Sequence, residues 1–128
     1  MTQGFIPRHN TFQVANDLPS SVSYAIEGVK HAFKTQRNFR LQVGATGLVL
    51  AFAAQMHLDA VRIAVLMITI GSVLVLELLN TAVEAVVDLT IGCRFHPLAK
   101  VAKDCAAGAV LTASVCALCI GFLVFQWP

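Results

Sequence analysis

Three apolar stretches without a charge, or nearly so, dominate this chain and limit what it can fold into. Residues 41–58 carry no acidic or basic side chain, a second stretch starts near Ala60 and runs past Leu79, and residues 105–127 are again uncharged. Each approaches the roughly 20 apolar residues needed to cross a hydrocarbon core. A backbone in lipid finds no external hydrogen-bond partners, so such stretches are read as helices. Composition agrees: 57% of the 128 residues are hydrophobic and 12% are charged, and the mean hydropathy is +0.74. Nine basic and seven acidic side chains cannot cover a soluble globule of this size, which excludes a soluble enzyme. Disorder is excluded too, because disordered chains are poor in apolar residues. The expected fold class is an all-α integral membrane protein, with one N-terminal interfacial amphipathic helix and three transmembrane helices in a single domain.

Charge placement gives the direction of insertion. Arg8, Lys30, Lys34, Arg37 and Arg40 precede the first span, and Arg94, Lys100 and Lys103 lie between the second and third. Arg62, beside Asp59, stands alone between the first and second. The positive-inside rule therefore predicts a multi-pass protein with its N-terminus and second loop in the cytoplasm and its C-terminus outside. Residues 1–19 are polar and contain Pro7, Asn10, Asn16, Asp17 and Pro19, and are expected to be a flexible lead without a targeting role. Residues 20–39 place Val22, Ile26, Val29 and Phe33 on one helical stripe beside a band of Lys30, Lys34 and Arg37. That pattern predicts an interfacial helix capped by Ser20 or Ser21. The spans are expected at about 41–58, 60–88 and 97–127.

The end of the second span carries the chemistry. At 100° per residue, Glu77, Asn80, Glu84 and Asp88 share an arc of roughly 80°, surrounded by Leu, Val and Ala. A carboxylate in hydrocarbon is costly, so an ordered acidic stripe there marks a functional site. A helix merely leaving the membrane would account for Asp88 but not for Glu77, which lies between Leu76 and Leu78. Counting from Ala60, Glu77 lies about 25 Å inward, near the cytoplasmic edge of the core. A transporter usually places its site near the midplane, so a boundary carboxylate suits chemistry between a water-soluble reagent and a lipid headgroup. Glu84 is about 6 Å along the axis from Asn80 and from Asp88, and hard oxygens of this kind suit Mg²⁺. Glu77 is about 10 Å from Glu84, which predicts separate roles, one as base and one as metal ligand. Beyond the stripe, Pro97 suits the first turn of a helix that presents Lys100 and Lys103 on one face. Lys103 is expected to pair with its neighbour Asp104.

The run Glu77-Leu78-Leu79-Asn80-Thr81-Ala82-Val83-Glu84 through Asp88 is followed by His96-Pro97-Leu98-Ala99-Lys100, Ala102-Lys103-Asp104 and Ala106-Ala107-Gly108-Ala109-Val110. Together these closely resemble the small integral-membrane diacylglycerol kinase and undecaprenol kinase family of bacteria. Residues 33–40, Phe-Lys-Thr-Gln-Arg-Asn-Phe-Arg, resemble that family's segment before the first span. The resemblance implies a homotrimer with composite sites between subunits, using MgATP to phosphorylate a lipid alcohol, diacylglycerol or undecaprenol. It implies Glu77 as the general base at the lipid hydroxyl and Glu84 as the Mg²⁺ ligand. Asn80 would line the site, Arg40 would help bind the lipid, and Lys103 and Asp104 would help bind ATP. Many family members carry a metal-holding glutamate where this chain has Gln36, whose carbonyl oxygen can ligate but brings no charge. The His96-Pro97-Leu98-Ala99-Lys100 form resembles the undecaprenol branch.

Other motifs are absent or bland. The sequence contains no phosphate-binding G-x-x-x-x-G-K-[ST] loop and no D-F-G or H-R-D. Cys116-Ala117-Leu118-Cys119 lies inside the third span and reads as small packing residues. Tyr24 and Trp127 suit the interfacial belt. Nothing suggests nucleic-acid binding. The rival function is a proton or ion pathway subunit with Glu77 as its carrier acid, and a further rival is a non-catalytic assembly protein.

Overall fold

A computed structural model describes residues 17–92 and 94–126, which form four α-helices: α1 (Leu18–Thr35), α2 (Arg37–Gln55), α3 (Ala60–Ile91) and α4 (Pro97–Gln126). The expectations for residues 1–16, for Cys93 and for Trp127 lie outside the described residues. Helix α1 begins two residues earlier than the spacing predicts. Asp17, rather than Ser20 or Ser21, is the cap, and its carboxylate accepts from the Ser20 backbone amide at 2.9 Å. Pro19 occupies the first turn, where a missing N–H is tolerated.

The predicted continuous helix over 20–39 is broken at Gln36, which is extended and serves as both the end of α1 and the start of α2. Arg40 stabilises the break: its guanidinium donates to the carbonyls of Phe33 and Lys34, both at 3.1 Å. Such carbonyls at a helix C-terminus lack intrahelical partners and favour a cation. Ala32 and Phe39, on either side of the break, are buried and hold the corner against the bundle. Val22, Ile26, Val29 and Phe33 stay exposed, so the apolar stripe of α1 is not packed on the rest of this chain.

Helices α3 and α4 are long and apolar enough to cross a membrane. Helix α2 is more polar, with Arg37 and Arg40 in its first turn and Gln42 and Gln55 further on. It also ends at Gln55, short of the expected residue 58. The Met56–His57 turn closes it, with His57 at φ 52° and the Leu58 amide donating to the Ala53 carbonyl. Asp59 then caps α3, accepting from the amides of Val61 and Arg62 and pairing with the Arg62 guanidinium at 3.0 Å. The Arg62 amide holds the Asp59 carboxyl below the usual carboxylate range; desolvation opposes it, and the Val61 amide and the Arg62 charge add to the lowering. Helix α3 ends at Gly92, whose φ of 59° suits a residue without Cβ.

The most extensive packing is α3 on α4, with α2 against α3 and α1 resting on both α2 and α3. Phe52 and Phe125 stack with ring centroids 5.0 Å apart, joining the far ends of α2 and α4. The opposite end therefore gathers the start of α2, the C-terminal half of α3 and the start of α4. Leu66, Val73, Glu77 and Asn80 form the buried stripe of α3 that faces this packing.

Candidate active site

Helix α3 has 32 residues and is therefore about 48 Å long, well beyond a core about 30 Å thick. Counted from Ala60, Glu77 lies about 25 Å along the helix, and Glu84 and Asp88 about 36 and 42 Å along it. At Glu77 the structure buries polarity: Glu77 is 3% exposed and Asn80 is 9% exposed. Buried polar groups need partners, and here amides meet carboxylates. Gln42 Nε2 on α2 donates to Glu77 Oε2 at 3.3 Å. Asn80 Nδ2 donates to Glu84 Oε1 at 3.1 Å, one turn along the same helix. Gln42 Oε1 and Asn80 Oδ1 are buried without a donor.

Gln42, Glu77 and Asn80, but not Glu84, line a cavity of about 310 Å³ together with Asn38, Val110 and Ser114. The predicted residues thus fall into three groups. Glu77, Asn80 and Glu84 are brought together on α3. Gln36 and Arg40 sit at the α1–α2 break, where the Arg40 amide donates to the Gln36 carbonyl at 3.4 Å. Lys103 and Asp104 open α4, but they do not pair with each other. Lys103 Nζ reaches across to Asp88 Oδ1 at 2.5 Å, while Asp104 pairs with Lys100 one turn away. The expected Lys103–Asp104 pair is corrected accordingly, since neighbours on a helix point about 100° apart. Lys100, Lys103 and Asp104 share a second cavity with Arg94 and His96, at the same end of the bundle.

Sequence reasoning missed Gln42, Asn38 and Ser114 as lining residues, and Asp88 as the partner of Lys103. An amide in an otherwise apolar span was the available signal for Gln42.

Among the described residues, no group of three His, Cys, Asp or Glu side chains is gathered that could hold a metal ion. The donor set at Glu84 fits a different arrangement: one carboxylate, beside an unpartnered Asn80 carbonyl oxygen, suits a Mg²⁺ that arrives with phosphate oxygens.

The family model for prokaryotic diacylglycerol kinase matches residues 23–125. The chain belongs to that family. A diacylglycerol kinase of Synechocystis is 53% identical over 114 residues, covering 89% of this chain and 65% of the relative. An undecaprenol kinase of Bacillus subtilis is 41% identical over 110 residues, covering 86% of this chain and 89% of the relative. A diacylglycerol kinase of Escherichia coli K12 is 33% identical over 107 residues, covering 84% and 86%. The chain therefore spans about two thirds of the Synechocystis protein and most of the other two. These relatives are lipid kinases, which makes ATP the family's co-substrate and gives no support to the ion-pathway reading.

Proposed function

We propose that this chain transfers the γ-phosphate of ATP to the hydroxyl of a membrane lipid alcohol, diacylglycerol or undecaprenol, at the cytoplasmic boundary of the inner membrane. The observation that carries this reading is a carboxylate buried at lipid depth, about two helical turns from Glu84 and about three from the Asp88–Lys103 pair at water depth. A lipid hydroxyl and a nucleotide phosphate can meet across that short distance. The basic residues of α1, the start of α2 and the α3–α4 loop support a cytoplasmic N-terminus, with α2 completing three spans.

In this reading Glu77 takes the proton from the lipid hydroxyl as its oxygen bonds to the γ-phosphorus. The bond from that phosphorus to the β–γ bridging oxygen breaks, and ADP leaves. Gln42 orients Glu77 through its amide hydrogen bond. Glu84 would hold Mg²⁺ with Asn80 beside it, and Gln36 offers a further neutral oxygen. When bound, the ion neutralises charge on the phosphates. Lys103 and Asp104 contact the nucleotide, Asp88 holds Lys103 in place, and Arg40 stands beside the lipid entrance. Positioning and charge neutralisation supply most of the rate.

The outward face of α3 supports self-association. Val75, Leu79, Ala82, Val86 and Leu89 follow a 4-3-4-3 spacing opposite the acidic stripe, and all are exposed, Leu89 at 87%. Val86 and Leu89 lie about 39 and 44 Å along the helix, past the hydrocarbon core, where apolar side chains need a cover. In this reading further copies of α3 supply that cover, and the family resemblance supports three copies in all.

The test is transfer of labelled phosphate from ATP to diacylglycerol or undecaprenol in mixed micelles, with and without Mg²⁺. Mg²⁺-dependent lipid phosphate is expected. Folded protein that phosphorylates neither lipid would overturn the proposal.

A further inference from the structure

The buried polar atoms in the cavity of about 310 Å³ at Glu77 are short of donors. Gln42 Nε2 is committed to Glu77 Oε2 at 3.3 Å, and Asn80 Nδ2 to Glu84 Oε1 at 3.1 Å. Ser114 Oγ donates to the Val110 carbonyl of its own helix at 2.8 Å. Asn38 is the other amide in the lining, and it is exposed. On the acceptor side stand the Glu77 carboxylate and two carbonyl oxygens, Gln42 Oε1 and Asn80 Oδ1, that are buried without a donor. Neither amide can turn over to correct this, because its oxygen would then face a carboxylate oxygen. The three acceptors are neighbours by covalent geometry. Gln42 Oε1 shares a carbon with the nitrogen that reaches Glu77, and Asn80 follows Glu77 by three positions, on the same face of α3.

An unpaired buried acceptor is costly, so a donor that enters the cavity is favoured, and so is rotation of either amide toward it. Leu41, Ala107, Val110 and Leu111 add hydrocarbon to the lining and no charge. The ligand that fits is a positively charged group made of donors alone, carried on an apolar chain. A primary ammonium has three N–H donors and no acceptor, which matches one carboxylate and two carbonyl oxygens. A lipid hydroxyl brings one donor. Hydrogen bonds between charged partners are also shorter and about twice as strong as neutral ones. Glu77, which has no cationic partner among the described residues, would gain one. The nitrogen of an ammonium has no lone pair, so it cannot attack phosphorus and occupies the site without reacting.

We propose that the cavity at Glu77 is also a binding site for long-chain primary ammonium amphiphiles, held by Glu77, Gln42 Oε1 and Asn80 Oδ1, and that such an amine blocks the lipid half of the site. The inhibition rests on the lipid-kinase reading; the binding does not. The test places the full chain in bilayer discs with oleylamine or oleyltrimethylammonium at equal mole fraction. Both carry one positive charge and one tail, but the second has no N–H. Oleylamine is expected to inhibit lipid phosphorylation at a mole fraction about tenfold or more lower, the ratio for losing charge-assisted hydrogen bonds. Its inhibition should be relieved by more lipid alcohol and not by more ATP. Oleylamine should also raise the thermal midpoint of the unaltered chain and leave that of Glu77→Gln where it is, with the quaternary analogue moving neither. Equal inhibition by the two amphiphiles, relief by ATP, or equal stabilisation of Glu77→Gln overturns the assignment. The comparison of amphiphiles uses the unaltered chain, so it stands even where the variant does not fold. A chain that phosphorylates no lipid in the absence of amine removes the kinase reading, and the thermal shift then decides the ammonium site alone.

Discussion

Leu66, Ile70 and Val73 on α3, and Glu77, Asn80 and Glu84 further along it, occupy one continuous helical stripe facing the same neighbours, yet their chemistry is opposite. The first half packs hydrocarbon against α2 and α4. The second half buries a carboxylate and an amide in the same kind of setting and satisfies them only in part. The backbone and the packing face do not change at Glu77; the buried side chains do. Up to Val73 burial serves packing alone, and from Glu77 onward it holds polar groups in place. On the proposed function, the first half is a stability element and the second half trades stability for a site.

That division predicts which property each half controls. Glu77→Gln should lower phosphate transfer about 10³-fold, within the range for losing a general base, because the amide keeps the shape but cannot take the proton. The thermal midpoint should scarcely move; a parallel loss of stability would mean that Glu77 is structural. Leu66→Ala should do the reverse. It is expected to cost about 2 kcal/mol or more by opening a cavity, seen in thermal or denaturant unfolding, with the rate per folded molecule unchanged.

Smaller changes sharpen the boundary. Gln36→Glu adds a charged oxygen at the α1–α2 break, and the Mg²⁺ concentration giving half-maximal rate should fall up to about tenfold, since Mg²⁺ favours carboxylate ligands. An unchanged Mg²⁺ requirement would remove Gln36 from the metal's surroundings. The smallest effect is expected at the outer end of α3. Asp59→Ala removes a cap and should lower the midpoint by a few degrees with no effect on transfer. The Asp59 carboxyl sits below its ordinary 3.8 in the folded chain. Its contribution is therefore full above that value and fades as pH falls through the lowered one. The gap in midpoint between Asp59→Ala and the unaltered chain should close in acid, and a gap independent of pH would contradict the capping role.

Much of this was legible in the sequence, for identifiable reasons. The two long apolar helices α3 and α4, the acidic stripe and the start of α4 at Pro97 follow from composition and local spacing. The proximity of Asn80 and Glu84 was also readable, because both lie one turn apart on a single helix. What could not be read depends on contacts between distant residues. Gln42 meets Glu77 across 35 positions, and Lys103 prefers Asp88, 15 positions away, over the adjacent Asp104. The break at Gln36 has no glycine or proline to announce it, since it depends on Arg40 reaching back to α1 and on burial of Ala32 and Phe39. The capping of α1 by Asp17 had a local signal, an aspartate two residues before Pro19, that the stronger apolar stripe obscured.

The most direct test measures lipid phosphate formation and thermal stability on the same preparations of the unaltered chain, Glu77→Gln and Leu66→Ala. A crossed result is predicted: Glu77→Gln stable with transfer lowered about 10³-fold, Leu66→Ala destabilised and active. Transfer by Glu77→Gln at the unaltered rate would contradict the account, because the buried carboxylate would then have no part in the chemistry.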